Sequence, residues 1–387
     1  MRTLRLALLL LFVVVTSVAA APPEGRYAFA LRLRDGSVAW QLPPFGSPVF
    51  DVEADGRGGW FVAGWFTSIG GVDCPALAHV LASGEVDEHW CAHITSRPYE
   101  GQEIDAAVNL LARAGDTLYI AGSFDSVGGE PRRGYAAIDS KTAAVKPWQP
   151  SGGAYADDAL TAGGGRVFLG AAGEPPSAKA TLFAVDAKTG RRLWKVRLDN
   201  RGCRYGHCWG HVGAILVRGA SVYVAGSFRH VLGLKHVGLV ALDARTARPL
   251  AWRANVSEYA VSPLEPGDTP PWQLAAVGRT VYVGVNENFL ELGTVNGVRR
   301  YGIAAVDART GEVRAWKYRG GVLAFGVSKS AVVLADADRV VRVDRVSGRK
   351  IRWRYSGQVP GDLDLVDISD GNVLISYYVL AQPRRAR

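Results

Sequence analysis

The chain has 387 residues, with 45 Lys and Arg against 36 Asp and Glu, and four cysteines. The formal net charge of +9 is a mild excess spread along the sequence, which suits solvated strand faces and argues against nucleic acid as a partner. Four cysteines in an exported chain read as two disulfides rather than a redox or metal motif.

The first segment, MRTLRLALLLLFVVVTSVAAA, sets Arg2 and Arg5 before an apolar run from Leu6 to Val15, with small residues at Ala19 to Ala21. That pattern predicts a secretory signal peptide over residues 1–21, because the apolar run is too short to span a bilayer. No later stretch reaches membrane-spanning length. The mature chain is therefore expected to be soluble, monomeric and secreted, periplasmic or on the cell surface, and no cysteine near the cleavage site offers a lipid anchor. Residues 22–380 read as one domain. Residues 381–387, with Arg384, Arg385 and Arg387, read as a basic tail.

Within the domain one unit recurs. A β-hairpin comes first, as in VFDVEADGRGGWFVAGWF (49–66), VNLLARAGDTLYIAGSF (108–124), VGAILVRGASVYVAGSF (212–228) and WQLAAVGRTVYVGV (272–285). A second hairpin follows, turning on an apolar-Asp-x-x-Thr-Gly-like sequence and ending in Trp, as in AIDSKTAAVKPW (137–148), AVDAKTGRRLW (184–194), ALDARTARPLAW (241–252) and AVDARTGEVRAW (305–316). Trp40, Trp90, Trp148, Trp194, Trp252, Trp316 and Trp353 mark successive copies. A repeat of strands and turns, with no helical period between copies, predicts a radial all-β architecture. Residues 27–42 supply only the second hairpin and residues 363–378 only the first. Neither hairpin can bury its apolar face alone. The expectation is a seven-bladed β-propeller of four-stranded antiparallel blades, closed by a two-plus-two clasp of the N- and C-terminal strands.

Cysteine positions favour local pairs. Cys74 sits between two strands of the first copy and Cys91 follows Trp90, so these two are expected to bond. Cys203 and Cys208 sit in one connection, DNRGCRYGHCWGH, and are expected to close a small ring. A metal held by Cys203, His207, Cys208 and His211 competes, although its spacing fits zinc sites poorly. His89 and His93 read as surface loop. The same connection presents Arg201, Arg204, Tyr205, His207, Trp209 and His211. On a braced loop these would suit a peptide, glycan or protein ligand, whereas Tyr205 and Trp209 could equally plug the neighbouring blade.

Acidic residues are the other candidates for chemistry. Asp157, Asp158, Asp362, Asp364 and Asp367 fall near the starts of first strands, where some could face a central channel and hydrolyse a glycosidic bond. Alternation in DLDLVD places Asp364 off the core face, and Asp336 and Asp338 suit a turn. Asp139, Asp186, Asp243, Asp307 and Asp344 recur once per copy, which marks a hydrogen-bonding device and not a catalyst. No nucleophile motif, phosphate loop or helical zinc motif occurs. Asn255-Val256-Ser257 matches a glycosylation acceptor.

The stretch LFAVDAKTGRRLWKV (182–196) resembles the PQQ-like β-propeller repeat. AGWFTSIGG (63–71), AGSFDSVGG (121–129) and AGSFRHVLG (225–233) resemble the delta-60 type repeats of secreted bacterial propellers. The resemblance covers nearly all of the mature chain. It implies a propeller in an extracytoplasmic setting. Quinoprotein alcohol dehydrogenases carry eight blades, adjacent cysteines and a calcium site, and the scaffold lipoproteins of outer-membrane assembly carry eight blades and a lipidated cysteine. This chain has neither an adjacent cysteine pair nor the lipidation cysteine. A secreted, non-enzymatic binding or scaffolding module with no cofactor is the leading expectation. A quinone- or metal-dependent oxidoreductase, or a glycan-cleaving enzyme, is the alternative.

Overall fold

The computed structural model describes residues 25–42, 47–98, 105–151, 158–171, 179–200, 210–256, 273–284, 294–300, 302–320, 322–336, 339–353, 355, 362–369 and 371–379. Among them the chain forms strands and turns with no helix. The expected signal peptide, the tail and the Cys203–Cys208 connection lie outside the described residues.

Antiparallel sheets follow one another along the chain. Sheet 1 orders Val49–Ala54, Trp60–Gly64, Leu77–Val80 and Val86–Cys91, and sheet 2 orders Ala107–Ala114, Thr117–Ser123, Tyr135–Asp139 and Val145–Lys146. Sheet 3 orders Ala159–Gly163, Arg166–Ala171, Lys179–Asp186 and Arg192–Asp199, then adds the hairpin His230–Val231 and Leu234–Lys235. Sheets 4, 5 and 6 have three strands each. They are His211–Arg218, Ser221–Ser227 and Leu239–Asp243; Gln273–Val277, Thr280–Gly284 and Ile303–Asp307; and Ala324–Val327, Ala331–Asp336 and Arg339–Asp344. The expected fourth strand shrinks there to single bridges, Leu242 to Pro249, Val306 to Val313 and Val343 to Lys350. In sheet 4 the physical reason is Pro249 itself, which has no N–H to donate to a ladder.

Sheet 7 joins the two ends of the domain. Its order is Asp362–Ser369, Asn372–Val379, Gly25–Arg32 and Val38–Gln41, with Gly25 opposite Val379 and Arg32 opposite Asn372. The first strand of each sheet lies beside the first strand of the next, and Asp362–Ser369 lies beside Val49–Ala54.

The core sits between sheets rather than within one. Tyr119, Tyr135 and Trp148 of sheet 2, for example, pack on Val167, Leu169, Phe183 and Val185 of sheet 3. Similar clusters fill the remaining junctions, including Trp40 and Leu374 of sheet 7 against Trp60 and Val80 of sheet 1. The recurrent motif explains how the junctions lock. Asp186 Oδ1 accepts the N–H groups of Lys188 at 3.0 Å and Thr189 at 2.9 Å, and the Thr189 hydroxyl at 2.9 Å. The turn so fixed leaves the carbonyls of Asp186 and Ala187 pointing outward. Trp148 Nε1–H of sheet 2 donates to the first at 3.0 Å, and the Tyr119 hydroxyl donates to the second at 2.8 Å. Gly190 completes the turn at φ +71°, where a Cβ would lie 2.0 Å from the carbonyl oxygen of Gln149.

The same indole bond recurs from Trp90 to Ser140, Trp194 to Ala244, Trp252 to Asp307 and Trp316 to Asp344, at 3.0–3.1 Å. Trp316 is 4% exposed, whereas Trp194 is only partly buried. Trp353 and Trp40 lie instead against Gly36 and Gly84, and neither indole nitrogen has a partner among the described residues.

Among four small hairpins, two add a second tie by ladder pairing. Ser126–Val127 pairs with Ile94–Thr95, which follows sheet 1, and His230–Val231 pairs with the last strand of sheet 3. Cys74 and Cys91 form a disulfide, with Cα atoms 5.6 Å apart.

Trp316→Ala is expected to cost about 3–5 kcal/mol, since it empties a packed junction. Trp316→Phe should cost about 0.5–1.5 kcal/mol, because it mainly removes the indole hydrogen bond to the Asp344 carbonyl, which keeps the Gly348 N–H. Urea unfolding of the two variants measures both; near-equal stabilities of either variant and the parent would show that the indole is not a junction element.

Candidate functional site

A cavity of about 360 Å³ opens where the first strands converge. Its wall includes Asp51, Asp158, Gln273 and Asp367, set among Val52, Leu110, Leu160, Ile215, Leu274, Phe325 and Val327. The polar groups reach this wall because the first strand of each sheet has no further strand of its own sheet inside it, so one of its edges borders the cavity. In sheets 1, 2, 4 and 7 a bulge within the first strand shifts the register and turns its side chains.

Three of these side chains reach across to the next sheet. Asp51 Oδ2 accepts the Leu111 N–H at 2.7 Å, Asp158 Oδ2 accepts that of Val212 at 3.2 Å, and Gln273 Oε1 accepts that of Phe325 at 2.9 Å. Each therefore satisfies a backbone donor on a strand edge that no neighbouring strand can pair. Asp158 also faces His211, whose Nε2 lies 3.1 Å from Asp158 Oδ1, while His211 Nδ1 is buried with no hydrogen bond among the described residues. Asp367 Oδ2 accepts the Trp60 indole N–H at 3.2 Å across the junction of sheets 7 and 1.

Burial acts on these carboxyls. Desolvation pushes Asp51 up to about 7, against the opposing backbone hydrogen bonds of Leu111 and Val52. It pushes Glu53 up to about 8, with Asp367 and Asp51 adding repulsion. Asp367 is raised by burial as well, against the hydrogen bonds of Ile368 and Trp60. Burial, with repulsion between the carboxyls, favours their uncharged forms.

Of the acidic residues singled out by sequence, Asp158 and Asp367 border the cavity, and Asp157 lies outside the described residues. The backbone of Asp362 and Asp364 falls in the first strand of sheet 7. The recurrent Asp139, Asp186, Asp243, Asp307 and Asp344 lie in the turns, and all are held below the usual carboxylate range. Backbone N–H donors at those turns lower them, joined by the Thr or Ser hydroxyl at Asp186, Asp243 and Asp344. His89 and His93 are exposed. Arg201, Arg204, Tyr205, His207 and Trp209 lie outside the described residues. Asn255 Oδ1 accepts the Val237 N–H at 2.8 Å. Asp51, Glu53 and Gln273 escaped sequence reasoning, although VFDVEA carries an alternation of acid and apolar residues that could have flagged the first two.

The family model described as outer membrane protein assembly factor BamB matches residues 179–387, just over half of the chain. The β-propeller domain of Cps50 (Swd1) from Myceliophteria thermophila is 11% identical, with a TM-score of 0.48, covering 88% of this chain and 99% of that one. The extracellular domain of the one component system BT4673 from B. thetaiotaomicron is 10% identical, with a TM-score of 0.49, covering 88% of this chain and 42% of that one. The quinohemoprotein alcohol dehydrogenase ADHIIG from Pseudomonas putida HK5 is 18% identical, with a TM-score of 0.36, covering 62% of this chain and 40% of that one. A search of the curated proteins finds no match to the chain.

The raised carboxyls set a pH dependence. A carboxyl whose folded value lies above its unfolded one contributes stability that is fully present below the unfolded value and is lost as pH rises through the folded one. For Asp51 and Glu53 that window runs from the ordinary carboxyl values of 3.8 and 4.5 up to about 7 and 8. Thermal melting should therefore show a fall between pH 4 and pH 8 that is smaller in Asp51→Asn, whose Oδ1 can still accept the Leu111 N–H. An unchanged slope in the variant would exclude Asp51 as its source.

Proposed function

Because the chain belongs to the PQQ-like repeat family described as outer membrane protein assembly factor BamB, we propose that it is a secreted, non-enzymatic propeller that binds or scaffolds a partner. The finer architecture is part of the reading: seven blades, closed by the pairing of Gly25–Arg32 with Asn372–Val379. An extracytoplasmic address fits the amino-terminal signal pattern. No helix among the described residues is long and apolar enough to cross a membrane.

The observation that carries the binding reading is the use made of the polar groups at the axis. Asp51, Asp158 and Gln273 are each engaged by a backbone N–H of the adjoining sheet. A side chain that holds two blades together cannot swing to accept and return a proton without loosening them. The pyrroloquinoline quinone of the family's enzymes is a polycarboxylate, so its site needs cations. Among the described residues the axial wall offers carboxylates and no Lys or Arg. The quinone does not fit that wall.

The partner surface in this reading is the face bearing the long connections, with Arg201, Arg204, Tyr205, His207, Trp209 and His211 as its contacts and Cys203–Cys208 as its brace. Aromatic and cationic side chains on a short ring lose little entropy on binding a peptide or glycan. Peptide and glycan arrays probed with the purified chain should give ligands that Tyr205→Ala with Trp209→Ala no longer binds, at an unchanged melting temperature. Dye-linked alcohol oxidation after addition of the quinone would overturn the reading.

Closure has its own test. Removing residues 363–387 takes away both inner strands of sheet 7 and should abolish cooperative unfolding. A truncated chain that melts as sharply as the parent, at the same temperature, would refute the clasp.

A further inference from the structure

A second cavity, of about 830 Å³, lies away from the axis, on the outer strands of sheet 3 and the hairpin that extends it. Lys179, Lys195, Arg197, Asp199, His230, Leu232 and Gly233 border it, and none of them borders the axial cavity. The strand Arg192–Asp199 explains the charge. Val196 and Leu198 are buried in the junction with sheet 4, so Lys195 and Arg197 project from the opposite face, and both are exposed. Residues two apart on a strand stand roughly 7 Å from each other. Two long side chains so placed can converge on one anion with several oxygens. Among the described residues no carboxylate forms an ion pair with Lys195 or Arg197. Among the described residues Asp199 is the one acid that borders the cavity, and it is 8% exposed.

The rim carries an apolar group held against its conformational preference. Leu232 and Gly233 make the two-residue turn of the hairpin, at φ +51° and +80°. The equivalent turns read Gly70-Gly71, Gly128-Gly129 and Asn296-Gly297, residues that suit a positive φ. Leucine does not suit it. Leu232 is the bulkiest apolar residue in the left-handed region among the described residues, and it is 57% exposed. An apolar side chain that neither packs in the core nor suits its backbone points to a contact outside the chain.

We propose that this cavity binds a phosphate-bearing amphiphile, with the phosphate between Lys195 and Arg197 and the hydrocarbon against Leu232. The cations supply charge-assisted hydrogen bonds, and the leucine supplies apolar contact that a bare anion cannot use. The amphiphile could be a free molecule or a lipid presented by a bilayer, since both offer the same chemistry. The site is separate from the axial cavity and does not depend on it.

Titration calorimetry with dihexanoyl-phosphatidylglycerol below its micellar concentration probes the free molecule. Sedimentation with phosphatidylglycerol vesicles in a phosphatidylcholine background probes the bilayer, and inorganic phosphate serves as competitor. Binding of the short-chain lipid is expected, with weak displacement by phosphate. Arg197→Glu should weaken it at least about tenfold, the loss of one charge-assisted hydrogen bond. Leu232→Gly is the discriminating variant. It should raise the melting temperature by relieving the turn and at the same time weaken the lipid. No binding of the short-chain lipid by the parent chain would overturn the proposal. So would Leu232→Gly that binds as the parent does, or vesicle binding that ignores both substitutions and vanishes with salt.

Discussion

The fold depends on one interaction, a tryptophan indole of one sheet donating to a turn carbonyl of the next. A lone sheet of this size has two apolar faces and nothing to cover them. The indole covers part of one face and fixes the angle at which the next sheet arrives, because its N–H must reach a particular carbonyl. The carbonyl is available only because an aspartate has folded the turn around its own side chain. Where that turn is absent, as at Ser83-Gly84, Trp40 packs without a hydrogen bond. The tyrosine hydroxyls of Tyr119, Tyr223 and Tyr282 add a second donor to the adjoining carbonyl. Burial raises all three phenols, Tyr282 to about 12, so they stay protonated and keep donating.

From this constraint the axis follows. Strands brought together at their inner edges cannot all pair, since each already pairs with the second strand of its own sheet. Their free N–H groups need acceptors. Asp51, Asp158 and Gln273 supply them, and burial in the same wall raises the Asp51 carboxyl against the pull of its backbone hydrogen bonds. Structural duty and perturbed titration thus have one cause here, which is why raised carboxyls at the centre of this molecule do not by themselves mark a catalyst.

The outer rim obeys different rules. Its strands meet solvent, so charge is tolerated and the small hairpins tie one sheet to the edge of the one before. At Leu232 the hairpin departs from the Gly or Asn of its counterparts, beside two exposed cations. That departure serves neither the packing nor the turn.

Sequence alone determined the repeat, the strand content and the pairing of the two chain ends, because alternation, turn residues and spaced tryptophans act over a few residues each. It also identified the recurrent aspartates as turn devices and the Cys74–Cys91 pair, since both partners lie within one copy. The unequal depth of Trp194 and Trp316 depended on how each sheet settled on its neighbour, a matter of packing between distant segments. The roles of Asp51, Glu53 and Gln273 were likewise decided by tertiary structure, because their partners lie in another sheet and no local pattern names them. The cationic cavity arose the same way: Lys195 and Arg197 are ordinary surface residues until a hairpin more than thirty residues later sets Leu232 beside them.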